Sequence, residues 1–200
     1  MVKINPYLYR ACSASCGALS TLPIDIIQTS VLTQQNVTLR VNELPLILIM
    51  SNLFAIQNTV FSCTNCIPNI SFRAILATLS ISPFVIFIQA KKYYYRFGIS
   101  PIYNNFIFWT TLREIIFYIT IYNLYKSNIY FSQILAPLIS NILAYSFRII
   151  ALKKSYQELD ITYKNIFYGS ILEIIKSSIG DSIALYMMHH HKFSPIKLQS

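Results

Sequence analysis

The stretch Ala14-Ser15-Cys16-Gly17-Ala18-Leu19-Ser20-Thr21-Leu22-Pro23-Ile24-Asp25-Ile26-Ile27-Gln28 decides the fold. It places a Pro-x-Asp inside the apolar run Ala11 to Leu32, and the rest of the chain echoes it. Pro83 lies 60 residues on, in the run Phe72 to Tyr95. Ser146-Phe147-Arg148 lies a further 63 on, in the run Tyr130 to Leu152. A second apolar run follows each of these. Leu112-Arg113-Glu114-Ile115-Ile116 matches Ile171-Leu172-Glu173-Ile174-Ile175 at an offset of 59, and Phe108-Trp109-Thr110 aligns with Phe167-Tyr168-Gly169. A fixed internal period is the first thing a sequence offers about its architecture. Here the repeating unit reads as a pair of membrane helices.

Composition agrees. Charged residues make up 12% of the chain and hydrophobic ones 54%, with a mean hydropathy of +0.49. A soluble domain of this length would need more polar surface. Six spans are predicted: Leu8–Leu32, Leu44–Ser62, Phe72–Tyr95, Phe106–Tyr125, Tyr130–Leu152 and Ile166–Met188. Each approaches the ~20 residues needed to cross a bilayer core. Their Ile, Tyr and Phe content would suit strands in water, but unpaired backbone groups in lipid enforce helix. No period-2 alternation supports a barrel. The fold class expected is an all-α membrane protein, six helices in three pairs (8–65, 70–127 and 130–190) forming one domain over residues 1–200.

The net charge of +9 does not point to nucleic acid, because the bases cluster at span ends. Lys91, Lys92, Arg96, Lys153, Lys154 and Lys164 follow the odd-numbered spans, joined by Arg40 and diluted by Glu43, Glu158 and Asp160. That makes the odd-to-even loops the positive side. The other side holds Lys3, Lys126, Lys192 and Lys197, and both termini are expected there. The first residues lack a signal-peptide pattern, so internal targeting is expected.

Four cysteines make no disulfide scaffold in a chain of this class. Cys12 and Cys16, one helical turn apart, read as small packing residues. Cys63-x-x-Cys66 sits at a span end, where a metal or a dithiol cycle is conceivable but a plain structural role is favoured. His189 to His191 read as an exposed tail. No catalytic pairing of carboxylates, triad or phosphate loop is visible. Neither an enzyme nor a bound cofactor or metal is expected.

The run from Ala14 through Gly17, Pro23 and Asp25 to Gln28 resembles the signature of the mitochondrial carrier family. Thr111 to Tyr118 with Leu124-Tyr125-Lys126, and Phe167 to Leu172 running to Ala184-Leu185-Tyr186, resemble that family's even-numbered helices. The resemblance implies three repeats, each a kinked odd helix ending in Pro-x-acid-x-x-base and then an even helix. It also implies the mitochondrial inner membrane, with both termini on the intermembrane-space side. Departures are as informative. The repeats are short, so the family's surface helices on the matrix side are expected to be short or missing. The matrix-side network has Asp25 but Gln28 in repeat one. It has Pro83 with Val85 and Ile88 in repeat two, and Ser146, Arg148 and Ala151 in repeat three. The second network, reduced to Phe61-Ser62, Tyr125-Lys126 and Tyr186-Met187, has no acid. The family fold adjoins the first and third odd helices, which leaves Asp25 and Arg148 as a residual pair.

Charged side chains inside spans are costly and mark function or an internal partner. Here they are Asp25, Arg113, Glu114, Arg148, Glu173, Lys176 and Asp181. The resemblance makes Arg113 and Glu114 a substrate contact, with Asn52 and Leu172-Glu173 at the corresponding positions of the other repeats. As helix neighbours, Arg113 and Glu114 are expected to point apart. Glu173 and Lys176, three apart, are expected to neutralise each other. Phe167-Tyr168-Gly169 resembles the family's cardiolipin-binding element; a packing role for Gly169 stands beside it.

Two functions follow. Alternating access needs contacts that differ between two closed states, and degraded networks weaken them. The favoured expectation is a degenerate carrier acting as a structural or accessory subunit of an inner-membrane complex, such as a respiratory complex or ATP synthase. Its 15 Tyr and 13 Phe would serve lipid and partner contacts. The alternative is an active minimal carrier of a small anionic or amino-acid-like metabolite, with Arg113, Glu114 and Lys176 at its site. An unrelated six-helix membrane protein is the third reading.

Overall fold

A computed structural model describes residues 6–126, 132–157 and 159–190. They form seven helices: α1 (Pro6–Ser20), α2 (Leu22–Thr33), α3 (Glu43–Cys63), α4 (Ile70–Phe97), α5 (Tyr103–Lys126), α6 (Ser132–Ser155) and α7 (Tyr163–His190). No strand occurs among the described residues. The first expected span is two helices, because the chain breaks at Thr21. Pro23 stands in the first turn of α2 and has no N–H to continue the ladder. The Thr21 hydroxyl donates to the carbonyls of Gly17 and Ala18 at 3.1 and 3.2 Å, covering acceptors the break leaves open. Other ends are set locally. Asn69 caps α4 by accepting from the Phe72 amide at 3.0 Å, and Gly98 ends it at φ 71°.

The helices pack as a closed ring. Successive helices from α3 to α7 are neighbours, and α1 lies between α3 and α7, with α2 against α7. Cross-links fix the antiparallel sense. Asn123 near the end of α5 donates to Ser71 at the start of α4, and Asn105 at the start of α5 donates to the Lys154 carbonyl at the end of α6. The links 34–42 and 98–102, and the described residues of 156–162, contain no helix.

Polarity is inverted relative to a soluble protein. Gln28, Gln57, Glu43 and Ser140 are wholly buried, whereas Phe84, Phe87, Phe108 and Phe167 are each more than half exposed. A broad apolar exterior suits a lipid environment. Among the described residues, α3, α4 and Leu135–Ser155 of α6 are long and apolar enough to cross a membrane, which marks a membrane protein. The apolar interior divides by level. One cluster joins Leu32, Tyr93, Phe106, Leu152 and Tyr156 near the ends of α2, α4 and α6. Another joins Phe61, Ala74, Tyr118 and Tyr122 at the opposite end.

Several placements correct the sequence reading. Cys12 and Cys16 are exposed on the outer face of α1 and are not packing residues. Lys92, Arg96 and Glu43, read as charges at span ends facing the loops, are turned inward from α4 and α3. Arg96 and Glu43 side chains are entirely buried. Lys3, Glu158, His191, Lys192 and Lys197 lie outside the described residues, as do the side chains of Tyr125, Lys126, Asp181, Tyr186, Met187, His189 and His190.

Candidate functional site

A central cavity of about 330 Å³ runs between the helices. Asp25, Lys92, Arg113, Glu114, Arg148, Glu173 and Lys176 all line it. The intramembrane charges picked out by sequence therefore converge, with Asp181 the one whose side chain is not described. Val85 and Ile88 also line the cavity, as an apolar wall. The charges missing from those positions enter farther along α4. Ile88, Lys92 and Arg96 follow at four-residue intervals, so they share one helix face.

Asp25 is the hub. Its carboxylate lies 2.6 Å from Lys92 Nζ, 2.9 Å from Arg96 Nη1, 3.4 Å from Arg148 Nη2 and 3.6 Å from Lys176 Nζ. One carboxylate thus gathers cations from α4, α6 and α7. The Asp25–Arg148 contact is the residual pair anticipated from the resemblance. Two further acids close the network. Glu43 Oε2 accepts from Arg96 Nε and Nη2 at 2.9 and 2.8 Å, tying α3 to α4. Glu173 Oε2 lies 2.8 Å from both Arg148 Nη1 and Lys176 Nζ. Gln28, in place of a base, works in both directions. Its amide N–H donates to Glu173 and to the Gly169 carbonyl at 2.6 and 2.8 Å, and its oxygen accepts from Arg148 at 2.9 Å. A neutral amide here bridges an anion and a cation without adding a fifth cation to the cluster.

Buried ions lose hydration worth several kcal/mol each, and only close, multiply bonded partners offset that loss. This network offsets the loss through shared contacts, Glu43 Oε2 and Glu173 Oε2 each accepting from more than one group, while the buried Glu43 Oε1 has no hydrogen-bond partner among the described residues. Tyr93 lines the cavity beside these charges and belongs to the aromatic cluster of Phe106 and Tyr156, so the ionic network adjoins an apolar layer.

Arg113 and Glu114 do not point apart. They pair at 3.1 Å, and Gln89 of α4 donates to Glu114 at 3.2 Å while accepting from Arg113 at 3.4 Å. Along the cavity, the acids are Asp25, Glu114 and Glu173 and the bases are Lys92, Arg113, Arg148 and Lys176, with the buried Arg96–Glu43 pair behind them. One positive charge is in excess. The side chains reaching farthest from cover are cations: Lys92 is 26% exposed, Arg113 23% and Lys176 18%, against 12% for Asp25 and Glu114. The cavity therefore presents cations in front and carboxylates behind.

The remaining sequence candidates fall elsewhere. Asn52 faces the exterior, accepting from the Tyr7 hydroxyl at 3.1 Å. Pro23 and Pro83 are exposed on the outer side of their helices. Gly169 is buried where α7 meets α2: a Cβ there would lie 2.3 Å from the Tyr145 hydroxyl and 2.7 Å from Leu32. The same residue's carbonyl accepts from Gln28. Lys92, Arg96 and Glu43 are the members that sequence reasoning missed. No family model, curated protein or solved structure matches this chain.

Proposed function

We propose that this chain is a small membrane carrier built on the plan it resembles: six spans, three two-helix pseudo-repeats, and transport of a small anionic solute by alternating access. The observation that carries this reading is the convergence of charges from α2, α4, α5, α6 and α7 on one central cavity. Degraded signature motifs argued for a purely structural role. That argument loses weight because Lys92, Arg96, Glu43 and Glu173 supply an inter-helix network from other positions. Lys92, Arg113 and Lys176 then meet the solute. An anion bound among them competes with Asp25 and Glu173 for the same cations, so its binding weakens the ionic network. On this reading the membrane is the mitochondrial inner membrane, the termini lie on its outer side, and Gly169 lies in the region of a cardiolipin contact.

The second reading, an accessory subunit of an inner-membrane complex, is favoured by one observation: the exposed aromatic rings Phe84, Phe87, Phe108 and Phe167 on the outer surface. Reconstitution into sealed liposomes separates the two. Counterflow of small carboxylates, phosphate and acidic amino acids, lowered at least tenfold by Lys176→Gln, is the expected result. No flux for any of them, together with fixed-stoichiometry migration in a large native complex, would sink the carrier reading.

A further inference from the structure

The end of the molecule away from the ion network is tied by different chemistry. Phe61, near the end of α3, stacks on Tyr122 of α5 with ring centroids 3.7 Å apart. The Tyr122 hydroxyl donates to Asn58 at 2.9 Å. Arg73, in the first turns of α4, lies 4.2 Å over the opposite partner, the Phe61 ring, and its Nη2 donates to the Phe61 carbonyl at 2.7 Å. The same Nη2 donates to Asn65 Oδ1. Arg73 is buried, its Nε has no partner, and no carboxylate among the described residues pairs with it. Among the described residues Asn65 is thus its side-chain hydrogen-bond partner, and the position of Asn65 bears on this tie beside the Phe61 carbonyl and ring.

Asn65 lies between Cys63 and Cys66. Cys63 is the last residue of α3, and the chain turns at once: the Thr64 amide donates to the Val60 carbonyl at 3.1 Å and the Ile67 amide to the Thr64 carbonyl at 3.0 Å. Residues three apart in a turn have Cα atoms less than about 7 Å apart, close to the Cα separations of about 4.4–6.8 Å that a disulfide bridges. Both thiols are free and exposed. Cys12 and Cys16 are exposed too, but they sit inside a helix that fixes their spacing, and the Ser13 and Ser15 hydroxyls between them donate back to the Tyr9 and Ala11 carbonyls of the same helix.

We propose that Cys63 and Cys66 form a reversible oxidation site whose disulfide fixes the turn carrying Asn65 and so tightens the Arg73–Phe61–Tyr122 tie between α3, α4 and α5. The oxidant is a low-molecular-weight disulfide. One cysteine thiolate attacks a sulfur of that disulfide, forming a mixed disulfide and releasing one thiol. The second cysteine, deprotonated, then attacks the protein sulfur, closing the Cys63–Cys66 bond and releasing the second thiol. Two protein thiols are oxidised and one small disulfide is reduced. The proposal stands independently of the carrier reading.

The test uses the full chain in detergent, equilibrated across glutathione buffers of rising oxidised fraction and then alkylated and mapped by mass spectrometry. Cys63 and Cys66 are expected to lose reactivity together and to appear as one linked peptide, while Cys12 and Cys16 stay alkylated. Thermal unfolding supplies the second readout. Oxidation is expected to raise the melting temperature of the natural chain by a few degrees, with the rise largely lost in Arg73→Gln and in Asn65→Ala. Alkylation of Cys63 and Cys66 in every buffer, or their linkage to Cys12 or Cys16, overturns the site. An equal rise in Arg73→Gln overturns the coupling to the tie.

Discussion

At the residue scale, Asp25 and Gly169 concentrate the consequences of close packing. Replacing Asp25 by Asn keeps its shape but removes the charge that gathers Lys92, Arg96, Arg148 and Lys176. Removing one member of a buried ion cluster leaves its partners uncompensated, at a cost of about 3–5 kcal/mol. Thermal unfolding in detergent should show a large loss for Asp25→Asn. The loss should change little between low and moderate salt, since buried charges are weakly screened. A variant melting like the natural chain would mean that the cations have other partners. Gly169→Ala tests sterics in place of charge. Its methyl would collide with the Tyr145 hydroxyl and Leu32, and overpacking of this kind costs about 1–3 kcal/mol. If Gly169→Ala instead leaves stability intact but reduces retention of cardiolipin, the glycine is a lipid contact first. Asp25, Arg148, Glu173 and Lys176 were legible in the sequence because a charge within an apolar run stands out. Lys92, Arg96 and Glu43 were not, because charges at the end of a hydrophobic run look like ordinary interfacial residues. What distinguishes them is periodicity: Lys92 and Arg96 extend the inward face of Val85 and Ile88.

At the element scale, the helices were readable from length and composition, and the ends of α3 to α7 fall within three residues of the expected spans. The division of the first span was not, although Pro23 gave the signal. A proline in an apolar run removes one ladder hydrogen bond, but sequence does not say whether the helix bends or restarts. Here Thr21 decides it, by donating its hydroxyl to the preceding turn. The restart turns Asp25 toward the network from a helix whose first half packs against α3 and α7. Pro23→Ala restores an N–H and favours a continuous helix, which would swing Asp25 away. Its effect on melting should therefore be strongly non-additive with Asp25→Asn, the double variant being little worse than Asp25→Asn alone. Simple additivity would mean that the break does not position the carboxylate.

At the scale of the whole molecule, the ring leaves a water-accessible interior with unequal ends. Cysteine placed at Met50, on the cavity wall, in a chain whose four natural cysteines are serine, should react with a membrane-impermeant maleimide from one side of a sealed vesicle. Reaction from both sides would mean an open pore, and from neither a sealed core. The ionic layer also has a consequence for how the protein is made. Its hub sits in the second helix, while its partners arrive with the fourth, sixth and seventh. A ribosome that has released only the first three helices has delivered a carboxylate into the bilayer with no counter-charge from any of those partners, a state costing at least a few kcal/mol. Chains ending after Cys66, before α4 brings Lys92 and Arg96, should accordingly be short-lived in a pulse-chase, and Asp25→Asn should lengthen their lifetime. The same residue that ties the finished bundle together would then expose to proteolysis a chain that stops before its fourth helix.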